Sequence, residues 1–395
     1  MGDFDFSQTW DRHGTGSLKW DTSAKDVLPF WVADMDFTVP PGVVEALADR
    51  LSHPIFGYGL LDKELIEALV NWYKKRHGLN LGTQDILLAP GVMPSLSLAI
   101  RSLTVSGDGI MIFTPVYQPF FDVITLNDRT LVEFPLSLEG RTWTFDSEIL
   151  RQTLETKKSQ GKPVKTLLFC SPHNPVGRVW KTSELEELSK LARDFDLLIL
   201  SDEIHQDLVF PPHRHQVLAG FDENLRGRTV VFSSGGKTFN LAGLPLSHMV
   251  VFDPELKKRL KRGLEAEFFH HPNILAQIAA KTVFQEGAPW LEALLPYLEE
   301  NYRVLCRALP VGMVETLPAP LEGTYLAWVD FSPMVRKMGL SGDEELAKIL
   351  EAKARIRFSP GSWFGGPPGY LRINLACPRS QLEEGLHRLS QFNFH

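Results

Sequence analysis

Three cysteines in 395 residues, Cys170, Cys306 and Cys377, are too few and too scattered for a disulfide framework or a zinc-type ligand cluster. Their scarcity points to a reducing compartment, and a cytoplasmic protein is expected. Basic charge is also short. Lys and Arg number 41 against 48 Asp and Glu, for a net charge of −7, and no basic tract stands out. A nucleic-acid partner is therefore not expected. The densest cationic group, Lys257, Lys258, Arg259, Lys261 and Arg262, reads as one solvated helix face. No run approaches the roughly 18 apolar residues a membrane span needs. The opening residues, Met1 to Asp11, lack the basic start and apolar run of a secretory leader, so none is expected. Internal repeats and low-complexity segments are missing as well. What remains is 44% hydrophobic and 23% charged, the composition of an ordered globular chain long enough for two domains.

The first 40 or so residues are irregular but rich in aromatics, including Phe4, Phe6, Trp10, Trp20, Phe30, Trp31 and Phe37, so they must pack on something. Pro40-Pro41 opens a helix to Leu51. A second helix is expected from Asp62 to about His77, with Leu65, Ala68, Leu69 and Trp72 on one stripe. Apolar strand-like runs then follow at Ile86–Ala89, Gly109–Phe113, Thr166–Phe169, Leu197–Leu200, Val230–Phe232 and Met249–Phe252. Helical stretches such as Ser183 to Asp194 separate several of them. Continuous apolar strands alternating with helices imply a mostly parallel sheet covered on both faces. A long helical region, Ile274 to Leu309, is interrupted near Gly287-Ala288-Pro289. Short strands at Tyr325–Asp330 and Tyr370–Ala376, around a helix near Asp343–Ala352, form a smaller α+β unit. The expected division is an N-terminal segment, 1–45, packing with the small domain, a large domain, 46–285, and a small C-terminal domain, 286–395.

The residues that follow the strands carry the chemistry, because ligands in such sheets lie beyond the strands' carboxyl ends. One strand leads to Pro90-Gly91-Val92-Met93 and a helix, and another to Ser171-Pro172-His173-Asn174-Pro175. A third leads to Ser201-Asp202-Glu203-Ile204-His205, and a fourth to Ser233-Ser234-Gly235-Gly236-Lys237-Thr238. An acid, a lysine, an asparagine, a histidine and a phosphate-type helix start at one sheet edge suit pyridoxal 5′-phosphate. Its ring nitrogen needs a carboxylate, for which Asp202 is placed. Its aldehyde needs an amine, Lys237. Its ring oxygen needs hydrogen-bond partners, Asn174 and His205. Its phosphate needs backbone N–H groups at a helix start, Gly91, Val92 and Met93, with the Ser234 hydroxyl as a further donor.

Singly, each residue has a plainer reading: a loop lysine is usually a solvated charge, an aspartate after a strand a helix cap, a histidine a hydrogen-bonded structural residue, and Asn174-Pro175 a turn. Only the ordered set is specific. Gly236-Lys237-Thr238 is not a P-loop, because the motif's first glycine would fall on Val231 within a strand. Asp202, Glu203 and His205, His213 and His215, or Asp34 and Asp36 show no recurrent metal-ligand spacing, and no metal is expected.

The strings Trp31-Val32-Ala33-Asp34-Met35-Asp36-Phe37, Ile55-Phe56-Gly57-Tyr58-Gly59, Thr114-Pro115-Val116-Tyr117-Gln118-Pro119-Phe120, Ser201-Asp202-Glu203-Ile204-His205, Lys237-Thr238-Phe239-Asn240-Leu241-Ala242-Gly243-Leu244 and Leu371-Arg372-Ile373-Asn374-Leu375 resemble those of the MalY/PatB-type cystathionine β-lyases. These are C–S lyases of the class I/II aminotransferase superfamily, and the resemblance runs from about residue 10 to 380. It implies the α/β, aspartate aminotransferase-like type I fold, with a mostly parallel seven-stranded sheet and a smaller α+β domain. It implies that Lys237 is the Schiff-base lysine, Asp202 the ring-nitrogen partner, Asn174 an O3′ contact with His205 nearby, and Tyr117 the stacking ring. Arg372 would bind the substrate α-carboxylate, a role suited to its planar fork. Trp31 would lie near the substrate entrance. Tyr58 would reach the partner subunit's site, making a homodimer with shared active sites.

The reaction implied is β-elimination from L-cystathionine or another cysteine S-conjugate, giving a thiol, pyruvate and ammonia. Lys237 takes the α-proton, and Tyr58 or Lys237 assists the departing sulfur. The alternative is an aminotransferase on the same scaffold. A regulatory protein that keeps the fold is opposed by the intact Lys237, Asp202 and Arg372. Two departures stand out: Gly235-Gly236 precede the lysine where serine or proline is common, and the phosphate-binding arginine many transaminases carry shortly after theirs is missing.

Overall fold

Strand residues buried on both faces build the centre of the molecule. The computed structural model describes residues 4–309 and 312–392. Expectations that touch 1–3, 310–311 and 393–395, at the ends of the N-terminal segment and within the small unit, lie outside the described residues. The large sheet contains β1 (Ile86–Ala89), β2 (Gly109–Thr114), β3 (Thr130–Pro135), β4 (Val164–Cys170), β5 (Leu198–Asp202), β6 (Thr229–Ser233) and β7 (Ser247–Val251). Their order is β1-β7-β6-β5-β4-β2-β3. Every pairing is parallel except those of β7, which runs against β1 and β6. The result is a mixed seven-stranded sheet in which one strand opposes six.

Alternation along β2 shows how both faces are filled. Ile110 and Ile112 pack with Leu96 and Ala99 of helix Val92–Leu103 and Leu260 of helix Pro254–Ala266. Met111 and Phe113 turn to the other face, with Leu150 of helix Ser147–Ser159 and Leu188 of helix Thr182–Asp194. Edge strand β3 alternates exposed and buried residues, and its Thr, Glu and Pro residues hide it from an apolar-run reading.

A second sheet holds β8 (Leu326–Asp330), β9 (Ser359–Pro360) and β10 (Tyr370–Asn374), antiparallel in the order β8-β10-β9. Leu28–Pro29 pairs in parallel with Ile356–Arg357, and Phe30 enters the same core as Leu371 and Leu386. The N-terminal segment also reaches the large unit: Phe6 and Phe37 enter the core that holds Leu65, Leu69 and Ile86. Helix Ala288–Ala308 bridges both cores, with Leu291, Leu294 and Leu298 in one and Leu305 in the other.

Two helices differ from the sequence reading. Helix Lys63–Trp72 widens into a π turn, Tyr73–His77, instead of continuing as α-helix to His77. The expected helix over 343–352 likewise ends at Ile349 and continues as a π turn, Leu350–Ala354. The break near Gly287 separates helices Ile274–Glu286 and Ala288–Ala308.

Candidate active site

The carboxyl ends of β1, β2, β4, β5 and β6 open on one cavity of about 390 Å³, walled in part by Val92, Met93, Tyr117, Asn174, Asp202 and His205. Lys237, Trp31 and Arg372 complete the same wall. Sequence positions more than 300 residues apart thus converge, because the N-terminal segment and β10 close over the sheet edge from the small unit.

Lys237 sits in the single helical turn Gly235–Thr238, capped by Ser234 Oγ, which accepts from Gly236 N at 3.0 Å. Its Nζ donates to the Ala33 carbonyl at 2.5 Å. Burial, with the nearby Arg372 charge, lowers this amine from 10.5 to about 8, against the pull of Asp34 and Asp202. Asp202 ends β5. Among the described residues its carboxylate has one hydrogen bond, from Ile204 N at 3.1 Å. Burial raises its pKa to about 7, against the lowering by that N–H and by Lys237. His205 is also buried, and burial, with the positive charges of Lys237 and Arg372, keeps its imidazole neutral.

Arg372 projects from β10. Its Nη1 donates to Asn174 Oδ1 at 3.1 Å and its Nη2 to the Trp31 carbonyl at 2.7 Å. The guanidinium lies 4.6 Å from the Phe364 ring centroid. Burial lowers its pKa to about 10, which still leaves it a cation at neutral pH. Its Nε and the Nδ1 of His205 are buried without a partner among the described residues. A native interior rarely leaves such atoms unpaired unless something else satisfies them.

The phosphate-type helix start differs in detail from the sequence reading. The first intrahelical bond of Val92–Leu103 runs from Ser95 N to Gly91 O, which leaves the Val92 and Met93 N–H groups ahead of it. Gly91 N instead donates to Ser247 Oγ at 3.2 Å, and Ser234 Oγ donates to the Leu246 carbonyl at 2.7 Å. Both donors are engaged within the protein, so the free N–H groups belong to Val92 and Met93. Tyr58 stands apart: it is 92% exposed and outside the cavity of its own chain, with its ring 5.0 Å from that of His271.

A carboxylate with a single hydrogen bond, a depressed lysine, unpaired buried donors and a bare helix start fit a phosphorylated pyridine aldehyde. Sequence reasoning missed several wall residues. Ala33 acts through its backbone, which leaves no side-chain signal. Trp363 and Phe364 lie in the Gly- and Pro-rich stretch 360–369, where two adjacent aromatics were the available clue. Among the described residues no group of three or more His, Cys, Asp or Glu could hold a metal ion.

The sequence pattern of the family described as aminotransferase class I and II matches residues 25–389. Over 390 residues the chain is 34% identical to cystathionine beta-lyase PatB of Bacillus subtilis (strain 168), covering 97% of this chain and 98% of that protein. It is 33% identical over 392 residues to protein MalY of Escherichia coli (strain K12), covering 97% of each. The fold also resembles the crystal structure of cystalysin from Treponema denticola, which contains a pyridoxal 5′-phosphate cofactor. The TM-score is 0.91, with 35% identity over 98% of each chain.

Proposed function

This chain belongs to the aminotransferase class I and II family, and we propose that within it the protein is a pyridoxal 5′-phosphate-dependent carbon–sulfur β-lyase. It splits the C–S bond of L-cystathionine or a related cysteine S-conjugate into a thiol, pyruvate and ammonia. The observation that carries this reading is the convergence of Lys237, Asp202, Asn174 and Arg372 on one cavity wall.

In this reading Asp202 serves the cofactor's ring nitrogen, Lys237 its aldehyde, and Asn174 and His205 its ring oxygen. Tyr117 stacks on the ring. The N–H groups of Val92 and Met93, supported by the Gly91 turn and the Ser234 cap, take the phosphate. When bound, the cofactor supplies an aldehyde for the substrate amine and a ring that accepts the electrons freed at Cα. The protein supplies the rest. Arg372 holds the α-carboxylate and so fixes how the Cα–H bond points. Lys237, when free and uncharged, takes the α-proton. Trp31 borders the substrate, and Lys237 or Tyr58 of the partner subunit delivers a proton to the departing sulfur.

The assembly proposed is a homodimer with shared sites. Ile55, Phe56, Tyr58, Leu60 and Leu61 form an exposed apolar stretch that a second copy would cover. The three cysteines are free thiols, which suits a reducing cytoplasm. Among the described residues no helix is long and apolar enough to cross a membrane. We retain the division at 1–45, 46–285 and 286–395, with helix Ala288–Ala308 as the joint.

The test is direct. Purified protein with L-cystathionine is expected to release pyruvate and free thiol in the absence of any keto acid. Turnover that requires a keto acceptor would instead identify an aminotransferase. Lys237→Ala is expected to lose both the lysine-bound cofactor band and pyruvate release.

A further inference from the structure

Behind the lysine turn, among residues that do not line the cavity, lies a buried carboxylate–imidazole pair that the reaction above does not use. Asp207 and His77 are both almost wholly buried, with Asp207 Oδ1 accepting from His77 Nε2 at 2.9 Å. The same oxygen accepts from Trp72 Nε1 at 3.0 Å. The other carboxylate oxygen accepts from Thr238 Oγ1 at 3.0 Å. Thr238 is fully buried and directly follows Lys237.

Three features say that this arrangement is more than packing. A buried carboxylate–imidazole pair is costly, and apolar residues of similar volume would hold a core at least as well. Two of the donors, Trp72 and His77, come from the point where helix Lys63–Trp72 widens into the π turn Tyr73–His77, a distortion that recurs at functional sites. The widened turn also brings Arg76 Nη2 to the Asp207 carbonyl, at 3.3 Å. Burial alone would raise the Asp207 carboxyl, but the hydrogen bond and charge of His77, with the charge of Arg76, outweigh it and keep the group ionised. Finally, the turn that carries Lys237 is held by its own backbone, Phe239 N to the Gly235 carbonyl at 2.9 Å and Leu241 N to the Gly236 carbonyl at 3.1 Å, and by few side chains. Gly235 and Gly236 form its first half, Ser234 caps its start, and the Thr238 hydroxyl is the side-chain anchor at its end.

We propose that Thr238 is a positioning residue, through which the Asp207–His77 pair fixes the lysine turn so that the Lys237 amine returns to one place each time it is released. The proposal rests on the reading of Lys237 as the cofactor-binding base. An amine that must leave the aldehyde, meet the α-proton and go back needs a stiff base beneath a flexible side chain. Two glycines would otherwise let that base drift.

The experiment compares wild-type holoenzyme with Thr238→Val, Thr238→Ser and Thr238→Ala, using L-cystathionine. Valine keeps the shape and removes the hydroxyl. Thr238→Val is expected to lower kcat about 30-fold while KM moves less than about 3-fold, the pattern of an outer residue that tunes a reacting group. The pH midpoint of the lysine–cofactor absorption band should shift by about half a unit or more. Thr238→Ser, which restores the hydroxyl, is expected to recover kcat to within about 3-fold of wild type and the wild-type midpoint. If Thr238→Val fails to fold, Thr238→Ala is read in its place, with the same expected loss and shift. Wild-type kcat and midpoint in the hydroxyl-free variant overturn the proposal, as does a serine variant as impaired as valine. A wild-type protein without pyruvate release would overturn the lyase reading instead, so the two failures are separable.

Discussion

The carboxyl of Asp202 is held far above its ordinary range by burial, and its titration yields a prediction opposite to that for an ordinary surface acid. Its pKa in the fold, about 7, exceeds the ordinary 3.8. Between those values the folded, cofactor-free chain keeps a proton that the unfolded chain has shed. Stability of that form therefore falls as pH rises through this window and stays low above it. Asp202→Asn removes the penalty. The cofactor-free variant is expected to be more stable than wild type at pH 8 by on the order of 2 kcal/mol, with no gain near pH 4, while activity of the loaded enzyme is lost. Urea unfolding at the two pH values checks this, and equal midpoints at pH 8 would contradict it. Lys237 predicts the reverse slope for catalysis. A base must be neutral, and this amine loses its charge near 8. The kcat is expected to rise with pH up to about 8 and level off above; a profile flat across pH 7 to 9 would remove Lys237 from the base role. These side chains were readable in the sequence because each sits just past an apolar strand and has a chemistry the cofactor demands. The Ala33 carbonyl and the Thr238 anchor were not, since a backbone atom leaves no signature and a threonine after a lysine suggests nothing alone.

One turn shows how an element holds a residue in the site. Asn174, which orients Arg372, is carried by the turn after β4, and the turn is held from outside the sheet. Gly177 adopts φ +72°, and a Cβ there would lie 2.8 Å from Leu321 Cδ1. Its carbonyl accepts from Glu322 N and Gly323 N at 3.1 and 2.9 Å. Arg178 is fully buried between Glu322 and Glu184, at 2.8 and 2.7 Å. Glu322→Gln leaves that guanidinium with one carboxylate, and a loss of about 3 kcal/mol is expected, as for other broken buried pairs. Because Asn174 shares the turn, KM should rise as well. A urea midpoint equal to wild type would count against the clamp. Sequence reading placed β1, β2 and β4 to β7 because their residues are apolar on both faces. It missed β3 because an edge strand with one wet face has no continuous apolar run. It also carried helix Lys63–Trp72 through to His77 as regular α-helix, since a π turn keeps the same polar and apolar residues and differs only in hydrogen-bond spacing.

At the scale of the molecule, the cavity in one chain lacks the residue that family likeness assigns to it. Tyr58 is almost wholly exposed and lies in an apolar stretch that a lone chain would leave in water. In the dimer proposed above, two-fold symmetry would bring the same patch of each copy against the other, and each Tyr58 would cross to the opposite cavity. Composition and periodicity say nothing of such an arrangement; the sequence carried it only as a family resemblance around Tyr58. The arrangement predicts complementation. Lys237→Ala and Tyr58→Ala homodimers are each expected to be severely impaired, for different reasons. When the two chains are co-expressed, a mixed dimer carries one cavity with both defects and one with neither. Random pairing makes about half of the dimers mixed, so pyruvate release should recover to about a quarter of the wild-type rate per dimer. Recovery of that size requires Tyr58 to act across the interface. If the mixture gives only the average of the two parents, each tyrosine serves its own chain or none, and the shared site is wrong even if the lyase chemistry is right.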